Sequence, residues 1–120
     1  MKILGIGVDI IQNKRIKKAI KNDLFIKRTF SKNEIKYSKN ILNKTNFFAK
    51  RFAAKEALAK AIGTGFSKKL NFKDIEIIND KNGKPYYSQT KKINTFINRK
   101  FKINKFKLFL SISDEKDYSV

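Results

Sequence analysis

The chain has 120 residues, a formal charge of +19, 41% hydrophobic residues and 12% aromatic residues, which predicts a single folded domain over residues 1–120. It contains no cysteine and no histidine, so disulfides, histidine or thiolate metal sites and Ser-His-Asp triads are excluded. Any catalysis must use carboxylates, lysines, hydroxyls, backbone dipoles or a metal held by oxygen. Without a membrane-length apolar run or a secretory signal pattern, we expect a cytoplasmic protein with no membrane partner.

The positive charge has two interpretations. An anionic partner is one, and it includes a small basic nucleic-acid-binding protein as an alternative function. The other is codon bias in an AT-rich coding sequence. The basic residues are mostly lysine, and the chain is also rich in asparagine, isoleucine and phenylalanine, which is the mixture that such a sequence would produce. The lysines are spread along the chain, which favours a generally solvated surface over one nucleic-acid groove.

The N-terminal residues 2–11 are β-branched and apolar, which predicts a strand. Gly5 and Gly7 lie two positions apart and therefore face the same side, where they would let another element approach the backbone closely. Asp9 lies on that side too. It is a candidate helix N-cap or a ligand.

Residues 13–22 predict a helix with a densely basic outer face, which is either solvated or a docking face for an acidic partner. Residues 24–30 are expected to pack in the core. A capping box at 31–34 predicts a short helix that continues through Ser38. Glu34 is explained by that cap.

A long helix is predicted over residues 49–62, which are rich in alanine, leucine, lysine and glutamate. We expect a loop over 39–46, an N-cap at Thr45 or Asn46, and a stop at Gly63.

Four residues of this helix share one stripe, namely Phe48, Phe52, Glu56 and Lys60. If the aromatic rings pack inward, Glu56 is drawn towards the core boundary and needs a cation. An ordinary exposed pair with Lys60 is the simplest interpretation.

The remaining elements are shorter. Residues 63–69 predict a basic glycine loop, which is only a weak phosphate-binding pattern. A hairpin is predicted from a strand at 74–79, an Asn-Gly turn at 80–84 and a returning strand that starts at Pro85. The expected elements after it are a helix at 90–99, a strand at 105–113, an acidic turn at 114–117 and the start of a strand at 118–120.

Two motifs together carry a family resemblance. Gly7-Val8-Asp9 is followed, after forty-two residues, by the nine-residue sequence from Phe52 to Lys60. This pair resembles the signature of the 4′-phosphopantetheinyl transferases, and most closely that of the short bacterial type. Further matches extend over nearly the whole chain: Lys14-Arg15-Ile16, residues 30–35, Gly63-Thr64-Gly65, residues 74–77, residues 82–85 and Ser111-Ile112-Ser113.

The resemblance implies an α+β fold, with an antiparallel sheet packed on a long central helix and three chains assembled as a homotrimer. It also implies a reaction of fatty acid biosynthesis. The phosphopantetheine group of coenzyme A moves to a serine of an acyl carrier protein, and adenosine 3′,5′-bisphosphate leaves. A transferase that acts on another carrier, such as a peptidyl carrier domain, is a milder alternative.

The resemblance also implies the roles of individual residues. Asp9 and Glu56 bind Mg²⁺, which prefers oxygen ligands, and Glu56 and Lys60 act in catalysis. The implied coenzyme A contacts are Lys60, Gly63, Thr64, Gly65 and Pro85. The implied docking residues for the acidic carrier protein are Lys14, Arg15 and Lys18.

Three positions depart from the family pattern. Asp114 replaces the usual histidine after Ser-x-Ser, and an acid there would repel the phosphates of coenzyme A. Gln12 stands where a glutamate is common, so no base is assigned there. The chain ends at Val120, where the final strand of the family continues.

Overall fold

The computed structural model describes residues 2–63 and 70–120. Its helices are α1 (Asn13–Ala19), α2 (Asp23–Thr29), α3 (Lys32–Ser38), α4 (Lys44–Ile62) and α5 (Lys91–Phe101). Its strands are β1 (Ile11–Gln12), β2 (Ile77–Asn79), β3 (Pro85–Tyr87) and β4 (Tyr118–Ser119), with a 3₁₀ turn at Phe72–Asp74. The α+β class predicted from the sequence is confirmed.

The long helix α4 organises the fold. It begins earlier than predicted, because the side chain of Asn43 caps it by accepting a hydrogen bond from the Asn46 amide at 3.1 Å. The predicted caps at Thr45 or Asn46 are therefore wrong. The predicted stop is confirmed, since Gly63 adopts the left-handed conformation at φ 85°, which costs glycine little.

Two hydrophobic clusters pack against α4. The first joins the N-terminal half of α4 to β1, α1 and the end of α2, and includes Ile16, Phe30 and Phe48. The second joins the C-terminal half to β2, β3 and α5, and includes Leu58 and Ile97. Burial of each such side chain contributes about 1.5–3 kcal/mol relative to exposure, so α4 is held from both sides.

The strands pair as two small antiparallel sheets rather than one. β1 pairs with β4, and β2 pairs with β3 so that Ile77 lies opposite Tyr87 and Asn79 lies opposite Pro85. The predicted hairpin is confirmed, with Gly83 at φ 84° in its turn. Pro85 opens the returning strand, as expected.

Two predicted strands are mostly wrong. Of residues 2–11 only Ile11 belongs to a strand, and residues 105–113 contain none. A strand requires a bonded neighbour, and among the described residues these stretches pair with another segment only at their ends: Ile11 pairs with Ser119, and Ser113 exchanges two backbone hydrogen bonds with Val120. The expected close approach is nevertheless present, because the glycines of residues 2–10 lie against α4. A Cβ atom on Gly7 would lie 1.8 Å from the Ala57 carbonyl oxygen, and one on Gly5 would lie 2.0 Å from that of Ala61.

The other local predictions agree with the structure to within a few residues. The capping box at α3 is confirmed, with Ser31 accepting from the Glu34 amide at 3.2 Å and Glu34 accepting from the Ser31 amide at 2.9 Å. Residues 24–30 form α2 for most of their length, and the last residues form β4.

Candidate active site

The stripe on α4 runs from the core to the solvent, as the spacing predicts. Phe48 is buried, Phe52 and Glu56 are half-buried, and Lys60 is exposed. The two aromatic residues pack into the hydrophobic cluster of the N-terminal half, and the two charged residues follow towards the surface. The helix therefore presents an acid and a base at the core boundary.

Asp9 reaches this surface from residues 2–10. Its carboxylate accepts a hydrogen bond from the Lys60 ammonium at 3.0 Å, and the same ammonium donates to the Val8 carbonyl oxygen at 3.0 Å. The contact of Gly7 with α4 brings the segment this close, since a side chain there would collide with the helix backbone. Asp9 does not cap α1, whose N-cap residue is Gln12.

The electrostatics of Glu56 show that the two carboxylates interact. Partial burial raises the pKa of Glu56, the negative charge of Asp9 raises it further, and the Lys60 ammonium acts in the opposite direction. Desolvation and a neighbouring like charge both disfavour the ionised form of an acid. A cation between the two carboxylates would remove that penalty.

The simplest interpretation of the stripe, an ordinary Glu56–Lys60 ion pair, is replaced by a three-residue arrangement. The ion pair that Lys60 makes among the described residues is with Asp9. Within residues 2–63 and 70–120 there is no group of three or more acidic side chains suited to a metal. Two carboxylates suit Mg²⁺ when phosphates and water supply its other oxygen ligands, so these residues fit the ion.

The implied coenzyme A contacts are only partly described. Gly63 lies at the end of α4, less than one turn beyond Lys60. Thr64 and Gly65 lie outside the described residues. Pro85 lies in β3, where it pairs with Asn79, and within the described part of this chain it makes no hydrogen bond with Asp9, Glu56 or Lys60. Its role as a coenzyme A contact stays a prediction.

The implied docking residues share one exposed surface. Lys14, Arg15 and Lys18 are all exposed on α1, while Ile16 faces the core. α1 begins at Asn13, four residues after Asp9 and directly after β1, so the basic surface lies close in sequence to the candidate site. Carrier docking there stays a prediction.

Asp114, which departs from the family pattern, is engaged with α4. Its carboxylate accepts from the Asn46 amide group at 2.8 Å and lies 3.5 Å from the Lys50 ammonium. Both partners belong to the N-terminal half of α4, on the side remote from Lys60. Asp114 therefore has a positive charge beside it in this chain.

Sequence reasoning missed one buried ionic cluster beside the site. Lys55, in the centre of the second motif, is fully buried and pairs with Glu34 at 2.7 Å. Arg51 is also buried, lies 3.8 Å from Glu34 and donates to Asn79 at 2.5 Å. The capping box located Glu34, but nothing in its spacing from Lys55 indicated that the two meet.

Comparison with known proteins identifies the family. A family model described as the 4'-phosphopantetheinyl transferase superfamily matches residues 5–118. The chain belongs to this superfamily. A curated relative, the holo-[acyl-carrier-protein] synthase of Pelagibacter ubique, is 62% identical over 120 residues, covering 100% of this chain and 94% of the relative.

Solved structures agree with this membership. The crystal structure of holo-[acyl-carrier-protein] synthase from Neisseria meningitidis has a TM-score of 0.88 and 35% identity, covering 98% of this chain and 94% of that one. The synthase from Bacillus anthracis, in complex with CoA (3',5'-ADP), has a TM-score of 0.79 and 39% identity, covering 98% and 90%. The α+β fold predicted from the resemblance is confirmed. None of the described helices is both long enough and apolar enough to span a bilayer.

Proposed function

We propose that this chain transfers 4′-phosphopantetheine from coenzyme A to a serine of an apo acyl carrier protein, as a Mg²⁺-dependent step of fatty acid biosynthesis in the cytoplasm. The serine oxygen forms a bond to the β-phosphorus, the bridging P–O bond breaks, and adenosine 3′,5′-bisphosphate leaves. The serine proton passes to an acceptor. The observation that supports this proposal most directly is the 3.0 Å contact between Asp9 and Lys60, which lies one turn along α4 from Glu56.

Asp9 and Glu56 are the residues that would hold Mg²⁺. When bound, the ion offsets the negative charge of the diphosphate. The Glu56 carboxylate comes from α4, and the Asp9 carboxylate comes from the segment that contacts α4. Together they would hold the ion beside the C-terminal half of the helix.

The ammonium of Lys60 supplies a positive charge one turn further along α4. It is exposed enough to exchange Asp9 for a phosphate oxygen as its partner. A fixed cation near the bridging oxygen stabilises the charge that develops there as the bond breaks. The glycine loop after Lys60, with Gly63, Thr64 and Gly65, is proposed to contact the coenzyme A phosphates.

The basic surface of α1 is proposed to bind the carrier protein through Lys14, Arg15 and Lys18. Carrier proteins are acidic, so complementary charge speeds the encounter and makes it sensitive to salt. The formal charge of +19 supports such an encounter. It does not by itself require a nucleic acid.

A homotrimer is proposed on the evidence of an uncovered apolar stripe. Ile6, Val8 and Ile10 are 79%, 68% and 64% exposed and alternate with residues that face α4. Residues 2–9 and 103–112 also border one open, mostly apolar groove of about 1410 Å³. Sedimentation equilibrium is expected to give three times the chain mass, and a monomer at working concentrations contradicts the assembly.

Mass spectrometry of an apo carrier protein tests the reaction. Incubation with this chain, coenzyme A and Mg²⁺ is expected to add one phosphopantetheine unit, and Glu56→Gln is expected to reduce the rate by at least about 100-fold. Lys92→Met is the matched control, because it removes an ion pair with Asp74 in which neither residue belongs to the candidate site. An unmodified carrier rejects the proposal. Unchanged transfer by Glu56→Gln rejects the metal assignment.

The nucleic-acid alternative is tested with the same variant. Binding to DNA or RNA that is indifferent to Glu56→Gln, together with loss of transfer, supports the enzyme. A peptidyl carrier domain offered in the same assay distinguishes a transferase that prefers another carrier.

A further inference from the structure

The ammonium of Lys55 is fully enclosed by protein. It donates to the Glu34 carboxylate at 2.7 Å, to the Phe72 carbonyl oxygen at 3.1 Å, and to the Ile75 carbonyl oxygen. An ammonium has three N–H donors, and these three acceptors use all of them. The side chain has no exposed surface, so no substrate phosphate can reach it in this arrangement.

The acceptors belong to three separate parts of the fold. Glu34 is in α3 and also accepts from the Ile77 amide of β2 at 3.1 Å. Phe72 begins the 3₁₀ turn and Ile75 follows it. Lys55 therefore connects α4 to α3 and to the segment that leads into β2, through bonds whose directions are fixed.

A second bond holds α4 at the preceding residue. The Tyr87 hydroxyl of β3 donates to the Ala54 carbonyl oxygen at 2.6 Å, in a buried position. Consecutive α4 residues are thus held by neighbouring segments, Ala54 by β3 and Lys55 by α3 and the segment that leads into β2. These contacts define both the rotation and the axial position of the helix at this point.

Glu56 comes immediately after these two anchors. Successive side chains on an α-helix point about 100° apart, so a helix that fixes Lys55 inward directs Glu56 to the boundary where Asp9 lies. A small rotation of α4 would move the Glu56 carboxylate relative to Asp9, whose own segment contacts α4 at Ala57 and Ala61.

We infer that Lys55 is a positioning residue for the transfer reaction, and that its bonds to Glu34, Phe72 and Ile75 orient α4 so that Glu56 meets Asp9. This inference rests on the proposed function. Lys55 touches no substrate. It acts through the rotation of the helix that carries Glu56.

The test compares two variants that both weaken the core. Lys55→Met removes the three bonds while keeping an unbranched apolar chain, and Ile97→Ala opens a cavity where α5 packs in the same hydrophobic cluster but removes no donor or acceptor of the Lys55 bonds. Both are assayed well below their unfolding midpoints. The readouts are kcat, the KM for coenzyme A, and Mn²⁺ affinity by electron paramagnetic resonance.

Lys55→Met is expected to lower kcat and Mn²⁺ affinity by about 10- to 100-fold, the usual effect of losing a group that orients a metal ligand. Ile97→Ala is expected to leave both unchanged despite its lower unfolding midpoint. Equal losses in the two variants, or full activity of Lys55→Met, would overturn the inference.

A measurement on the unaltered chain covers the case in which Lys55→Met does not fold. Addition of Mg²⁺ and coenzyme A is expected to shift the ¹⁵Nζ resonance of Lys55, and an unchanged resonance contradicts the coupling. Failure of the inference is distinct from failure of the proposed function. An unaltered chain that modifies no carrier defeats the function, whereas an active chain indifferent to Lys55 defeats only the positioning role.

Discussion

Helix α4 carries two lysine–carboxylate pairs that have similar geometry and opposite surroundings. Lys55 lies 2.7 Å from Glu34, and both side chains are fully buried. Lys60, five residues later, lies 3.0 Å from Asp9, with side-chain exposures of 54% and 16%. One pair joins helices in the core, while the other lies where a substrate can reach it.

Burial decides what each pair can do. A buried ion pair whose partner is removed leaves an uncompensated charge, which costs about 3–5 kcal/mol. An exposed pair contributes about 0–1 kcal/mol, because water screens it. The buried pair is therefore suited to holding α4 in place, and the exposed pair is suited to exchanging partners when a phosphate arrives.

The largest expected effect is on the buried pair. Glu34→Gln removes the counter-charge of Lys55 and is expected to lower the free energy of unfolding by about 3–5 kcal/mol. Urea denaturation measures this. The matched control is Lys92→Met, which breaks the exposed pair with Asp74 and is expected to cost about 1 kcal/mol at most. Similar midpoints for the two variants would contradict the difference between buried and exposed pairs.

Local patterns predicted the parts of the site that depend on neighbouring residues. The spacing of Phe48, Phe52, Glu56 and Lys60 placed an acid and a base at the core boundary, and two glycines before Asp9 predicted a close approach. The resemblance to a family predicted that Asp9 and Glu56 meet. The first two features follow from helix and strand periodicity, whereas the expectation that Asp9 and Glu56 meet came from the resemblance alone.

Contacts between residues far apart in the sequence were harder to predict. The strands predicted at 2–11 and 105–113 have the right alternation, yet a ladder also needs a neighbour, and periodicity does not supply one. The Glu34–Lys55 pair joins residues 21 positions apart in the sequence. A capping box explains Glu34 locally, so nothing in the sequence called for a second partner.

An intermediate effect is expected from disturbing the contact of Gly7 with α4. This change tests whether that contact places Asp9 beside Lys60. Gly7→Ala places a Cβ atom 1.8 Å from a backbone oxygen, so the segment must move away from α4. Overpacking of this kind costs about 1–3 kcal/mol, and the displaced Asp9 is expected to reduce carrier modification more than it reduces stability. Lys2→Ala, an exposed change in the same segment, is the control. Full transfer activity in Gly7→Ala would show that the close approach is not needed to place Asp9.

The smallest effect concerns the charge balance at the exposed site. The pKa of Glu56 is raised first by burial and then by Asp9, while Lys60 opposes the rise. Asp9→Asn is therefore expected to lower the pKa of Glu56, and Lys60→Met to raise it, both measured by ¹³Cδ NMR titration without metal. Shifts of the same sign in the two variants would contradict the arrangement.

The direction of the Glu56 shift also sets the pH dependence of the site. A raised pKa means that the folded chain takes up the proton at a higher pH than the unfolded chain. The contribution of Glu56 to stability is therefore lost as the pH rises from its ordinary pKa through the raised one. Divalent ions need the ionised carboxylate, so Mn²⁺ affinity is expected to fall as the pH drops through the raised pKa. A Mn²⁺ affinity that does not change as the pH passes through the raised pKa of Glu56 would contradict the assignment of Glu56 as a metal ligand.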